Sequence, residues 1–225
     1  MNRIQLDDVL MAYRSPAQFQ RELSTFIDQR LKPGSKVVEV GCETAVTTLL
    51  LSDEFERTAI DINPRAIELV TAAAERLGKK VNVQMCDMFA MPFAEDEFDL
   101  VFNAGVIEHF TLAERSRAIG EYARVMKPSG ELVICYPNHF CPPYRAAYIV
   151  MNLLGVWRFP PEFKIYDLGE EAERNGLTIK ARLTLSRGTI FNWLNFLPPL
   201  RFLFQIADKV LRFEGYLTVV VMKKV

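Results

Sequence analysis

The sequence predicts a doubly wound α/β fold, a mostly parallel sheet with helices on both faces. Short β-branched runs alternate with helical segments from residue 36 onward. Acidic residues stand at or near the carboxyl ends of the first three runs, on the rim where such sheets bind ligands.

The elements follow in order. Residues 3–31 read as one or two helices, with Phe19, Leu23, Phe26 and Ile27 at helical spacing and Lys32-Pro33-Gly34 as the stop. Lys36–Val40 is a first buried strand, closed by Gly41, and Val46–Leu51 begins a helix. Thr58–Ile62 is a second strand, Pro64–Leu77 a second helix of the core and Val81–Met85 a third strand. Phe98–Phe102 is a fourth strand followed by a helix over Leu112–Val125. Lys127–Gly130 is a turn, and Glu131–Tyr136 a fifth strand ended by Pro137. Beyond Asn138, Tyr166–Asn175 reads as a helix, Leu177–Leu185 as a sixth strand and Tyr216–Met222 as the last.

Composition narrows the functional class. Of 225 residues, 27 are basic and 28 acidic, a net charge of −1 that carries no nucleic-acid footprint. Two histidines and four cysteines without C-x-x-C spacing give no metal site. The N-terminal stretch has no apolar core or cleavage site of a secretory signal, which predicts a cytoplasmic protein. No apolar run reaches the ~18 residues of a membrane span. Residues 139–216 hold 14 of the 25 aromatics, in two apolar insertions near 139–163 and 188–213. These read as a lid over a hydrophobic acceptor, as a surface for peripheral membrane contact, or as helix core or a homodimer interface.

Three positions carry candidate chemistry. Gly41, after Glu39, permits close approach of a ligand to the backbone. Asp61 ends the second strand, where a carboxylate can hold a ribose diol; its plain alternative is a cap for the helix near Pro64. Asp87 ends the third, where a carboxylate can meet an adenine amino group with Met88 on the ring; the alternative is a turn Asp beside a core Met.

The stretches VVEVGCETA, AIDINPRAIELV, CDMFAMPFAEDEFDLVFNAGVIEHF and EYARVMKPSGELVICYPN, over most of residues 36–138, resemble the class I S-adenosylmethionine-dependent methyltransferases of the small-molecule type. The resemblance implies one methyltransferase domain over 1–225, with a Rossmann-like, seven-stranded sheet whose last strand is antiparallel. KIYDLGEEAERNGLTI and LTVVVMKK resemble the sixth and seventh strand regions of that family. It implies S-adenosylmethionine as cofactor, S-adenosylhomocysteine as product and a small-molecule acceptor, which the aromatic-rich insertions make apolar or aromatic. By the same resemblance Glu39, Gly41 and Cys42 line the methionine part of the cofactor. Asp61 holds the ribose with Ile62 on the adenine, and Asp87 and Met88 complete the adenine site. Asn103 and Ala104 sit near the sulfonium, and Tyr13 and Arg14 fold over from the N-terminal helix.

His109, in VIEHF, is the candidate base for a hydroxyl or amine; the alternative is a packing role in the wall. The family's glycine-rich first loop is altered, with Glu43 and Ala45 where glycines are usual. If those positions need positive φ, they are strained. The expectation is a loop that has shifted so that Glu43 turns outward or pairs with a cation. Two alternatives accompany the enzyme: a non-catalytic binding or scaffold protein with a degenerate loop, and a nicotinamide-dependent oxidoreductase, whose glycine fingerprint is absent.

Overall fold

The computed structural model describes residues 4–157 and 159–225. Seven strands form one sheet in the order β3-β2-β1-β4-β5-β7-β6. They are β1 (Lys36–Val40), β2 (Glu56–Asp61), β3 (Asn82–Met85), β4 (Phe98–Ala104), β5 (Met126–Pro137), β6 (Leu177–Leu185) and β7 (Leu217–Lys224). β7 alone runs antiparallel to its neighbours β5 and β6. The expected seven-stranded, mostly parallel architecture is therefore the observed one.

The strands alternate their apolar side chains between the two faces, as the period of a β-strand requires. Val38, Val40 and Val101 join one core with Ile119 and Tyr122 of α5 (Leu112–Val125) and Ala172 of α7 (Gly169–Arg174). Val37, Leu100 and Phe102 face the other way, onto Leu23 and Ile27 of α2 (Gln18–Asp28). A buried Arg115–Glu171 pair, 2.8 Å apart, ties α7 to α5. α1 (Leu6–Arg14) packs beside α3 (Val46–Leu50) and α4 (Pro64–Leu77) through Val9, Leu10, Leu49 and Leu69.

The two aromatic-rich insertions fold into one lobe. It contains α6 (Pro142–Leu153), a 3-10 segment Arg187–Leu194 and α8 (Pro198–Leu211). Tyr144 meets Trp193 at 5.1 Å between ring centroids, and Trp193 meets Tyr216 at 5.2 Å. Part of the aromatic excess is thus helix core, as one of the readings of these insertions had it. Phe140, Phe159, Phe196 and Phe202 remain exposed.

Candidate active site

Strand order reverses between β1 and β4, the topological switch point where open α/β sheets bind ligands. A cleft of about 620 Å³ opens there, inside the range of small-molecule sites. Its walls come from the carboxyl ends of β1 to β4.

The loop after β1 is built on close packing. Gly41 has φ 72°, and a Cβ there would come within 2.6 Å of the Val106 side chain. The amides of Gly41 and Cys42 both donate to the Ile60 carbonyl, at 2.9 and 3.0 Å, which locks the loop to β2. Glu39 is buried beneath it and accepts two hydrogen bonds from Thr48, from Oγ1 at 2.5 Å and from the backbone amide at 3.2 Å. Burial pushes its carboxyl up to about 7; the Thr48 bonds oppose the shift and the charge of Asp61 adds to it.

Asp61 braces this loop. Its carboxylate accepts from the Glu43 amide at 2.8 Å and from the Asn63 amide at 2.9 Å. The cap of α4 is Asn63, whose side chain accepts from the Arg65 amide at 3.0 Å. The capping alternative for Asp61 therefore falls to its neighbour. Ile62 stands exposed on the cleft wall. Across the cleft, Asp87 accepts from the Phe89 amide at 2.9 Å, and Met88 receives the Tyr122 hydroxyl at 3.2 Å.

Glu43 and Ala45 keep left-handed backbones, with φ 43° and 48°. Both positions thus keep the backbone conformation that favours glycine, while the Glu43 side chain is exposed, one of the two expected outcomes for it. Glu43 stands exposed on the cleft rim, and no cation pairs with it among the described residues. The cleft walls around its base partly strip its carboxyl of water although its tip is exposed, and this, with the charge of Asp61, raises its pKa.

Of the expected residues, Glu39, Gly41, Cys42, Asp61, Ile62, Asp87, Met88, Ala104 and His109 line the one cleft. Asn103 does not. It is fully buried, and its amide donates to the Val40 carbonyl at 3.0 Å and reaches the Tyr122 hydroxyl at 3.4 Å. It braces β4 against β1 below the floor, because alternate β4 residues face opposite sides. Tyr13 packs against the α1–α3–α4 cluster instead of covering the cleft. The covering residues from the N-terminal part are Phe19 and Gln20 of α2.

The wall opposite the loop is aromatic. Phe89 and Phe110 meet edge to face at 5.6 Å, and Phe159 and Pro160 of the C-terminal lobe close the side. The strap around Phe159 is tied down at three points. The Pro161 carbonyl lies 3.0 Å from His109 Nδ1, the Phe163 amide donates to the Glu108 carbonyl at 2.7 Å, and the Tyr144 hydroxyl donates to Glu162. A carbonyl can only accept, so Nδ1 carries the proton and Nε2 of a neutral His109 keeps its lone pair. Glu108 itself is buried with one carboxyl oxygen unpartnered among the described residues, and burial pushes its pKa up to about 8.

Residues 38–134 match a family model described as a methyltransferase domain. Among curated relatives, the mouse probable tRNA methyltransferase 9B is 35% identical over 107 residues, covering 47% of this chain and 22% of that protein. The chloroplastic tocopherol O-methyltransferase of Arabidopsis thaliana is 32% identical over 120 residues, covering 49% of this chain and 33% of that protein. The chain thus spans less than half the length of these relatives. Among solved structures, a geranyl diphosphate methyltransferase in complex with S-adenosylmethionine superposes with a TM-score of 0.68 at 12% identity, over 98% of this chain and 90% of that one. Fold, switch-point cleft and domain match define the class. Residues 38–134 match a methyltransferase domain, and the seven-stranded sheet that contains them has the fold of the S-adenosylmethionine-bound methyltransferase it superposes on.

Proposed function

We propose that the protein transfers the methyl group of S-adenosylmethionine to a small, apolar or aromatic acceptor. The observation that carries this reading is the single cleft. One wall holds the buried Glu39, the glycine cradle and Asp61, and the opposite wall is aromatic. The residues fit the cofactor: the backbone of Gly41 and Cys42, pinned to Ile60, lines the cleft, and Glu39 is a buried carboxyl facing it. Glu39, Gly41 and Cys42 would hold the methionine part. Asp61 and Ile62 would take the ribose and one face of the adenine, and Asp87 and Met88 its amino edge. Ala104 would lie toward the sulfonium, with Asn103 bracing the floor.

When bound, the cofactor supplies a methyl group already activated by a sulfonium. The chain's own task is to align the acceptor and exclude water. Phe89, Phe110 and Phe159 give the acceptor an apolar wall. His109, held by Pro161, presents Nε2 as the proton acceptor for a hydroxyl or amine. General-base catalysis of this kind contributes roughly 10²–10⁴-fold, so His109→Ala should lower the rate by about that factor with cofactor affinity intact.

The test offers labelled S-adenosylmethionine with aromatic and quinol-type small molecules, aliphatic amines and transcribed tRNA. Label in the organic-soluble aromatic fraction supports the proposal. Label in tRNA alone, or none with cofactor binding retained, contradicts it. The second of those results is the one a scaffold protein would give.

A further inference from the structure

We infer that the outer face of the C-terminal lobe docks on an anionic lipid bilayer, with α8 lying along the membrane surface. The inference rests on this lobe and not on the methyltransferase reading. No residue of α8 is buried. Its inner side is set by Phe204 and Ala207, which pack on the aromatic core of the lobe, and by Asp208, which binds Arg187 at 2.9 Å. Phe202, Leu203, Ile206 and Val210 point away from that core, with Phe202 62% and Val210 81% exposed. At 3.6 residues per turn these four share an arc of about 100°, a continuous apolar stripe along a helix roughly 20 Å long. α6 adds Ile149 and Leu153, one turn apart, followed by Leu154; Leu153 is 82% exposed.

Charge identifies the occupant. Residues 187–213 contain four cations and one carboxylate, a net +3, in a chain whose total is −1. The one carboxylate, Asp208, is occupied by Arg187. Arg201, Lys209 and Arg212 have no carboxylate partner among the described residues; the exposed Lys209 borders the stripe on the helical wheel, the exposed Arg212 follows at the C-cap, and Arg201 is half-buried on the flank toward Asp208. An apolar stripe edged by cations is the pattern of a helix lying in a bilayer interface, with basic side chains reaching the headgroups. A second copy of the chain fits less well, because a two-fold contact through this face would bring its unpaired cations together.

The test is flotation of the purified protein with phosphatidylcholine vesicles, with and without phosphatidylglycerol. The expected result is binding to the anionic vesicles that weakens with salt. Lys209→Gln with Arg212→Gln should reduce that binding about thirtyfold at low salt. Ile206→Glu with Val210→Glu should abolish it. Since all four side chains are exposed, far-UV circular dichroism and S-adenosylhomocysteine binding should match the parent in both variants. Absence of flotation with either vesicle would overturn the inference. So would variants that float like the parent, or a dimer that Ile206→Glu dissociates while the parent leaves vesicles unbound.

Discussion

At the scale of single residues, Glu39 and Glu43 decide how the cleft works. Glu39 has its carboxyl pushed up to about 7 by burial, so near neutral pH it is only partly ionised. If it receives the cationic amino end of the cofactor, binding favours the ionised form. The affinity for S-adenosylhomocysteine should then rise as pH increases from about 6 to 8, and Glu39→Gln should flatten that profile and weaken binding. Titration calorimetry across this range checks it; an affinity independent of pH in the parent would remove Glu39 from that role. Glu43 carries a left-handed backbone at φ 43°. Such a conformation costs a side-chain-bearing residue about 1–2 kcal/mol. Glycine removes that cost but returns roughly 0.4–1 kcal/mol of freedom to the unfolded chain. Glu43→Gly should therefore raise the melting temperature by about 1–3 °C. It should also tighten S-adenosylhomocysteine binding by removing a second carboxylate beside Asp61. A lower melting temperature would show that the Glu43 side chain makes a compensating contact. The loop's positive φ was legible as a condition from the glycine pattern; that Glu43 meets it without moving the backbone was not, because that depends on how Gly41 and Cys42 are pinned to Ile60.

Among the elements, those with strong local signals were legible to the residue. Pro64–Leu77 starts with Pro after Asn63 and stops at Gly78 in a left-handed conformation. Leu112–Val125 starts with a reciprocal cap, in which Thr111 accepts from the Glu114 amide at 3.4 Å and Glu114 accepts from the Thr111 amide at 2.8 Å. Thr111→Ala should cost about 1 kcal/mol, lowering the melting temperature by roughly 2–4 °C with cofactor affinity unchanged. Thermal denaturation checks it, and an unaltered midpoint would mean that α5 is held by packing alone. Elements set by tertiary contact were less legible. The expected helix over Tyr166–Asn175 shrinks to Gly169–Arg174, because Leu168 is buried with a non-helical backbone at the N-cap. β5 begins at Met126 through pairing with β4, absorbing the expected turn at Lys127–Gly130. Phe19 and Gln20 reach the cleft only because α2 crosses that edge of the sheet, and no spacing within the sequence announces it.

Across the whole molecule, the cofactor half was legible because its motifs lie on consecutive strands whose ends meet by topology. The lobe was not, since whether an aromatic becomes core or surface depends on the packing of α6, the 3-10 segment and α8. Among the described residues no helix is long and apolar enough to cross a membrane. The seam between the two halves runs through Glu108, whose carboxyl is pushed up to about 8 by burial, with Glu162 adding to the shift. A folded-state pKa above the unfolded value of a carboxyl means that the native state binds more protons between about 4.5 and 8. Stability should therefore fall as pH rises through that window, and Glu108→Gln should lessen the fall. Melting curves at pH 5 and pH 8 test this, and an equal slope in the variant would place the loss elsewhere.

The switch-point cleft is proposed to bind the cofactor of a methyltransferase, with Asp61 on its ribose. The most direct measurement is calorimetric titration of S-adenosylhomocysteine into the parent and into Asp61→Ala. The expected result is saturable one-to-one binding to the parent, weakened in the variant by about 1.5–3 kcal/mol, the worth of a charge-assisted hydrogen bond. A folded parent that takes up no S-adenosylhomocysteine, or a folded variant that binds it as tightly as the parent, would contradict it.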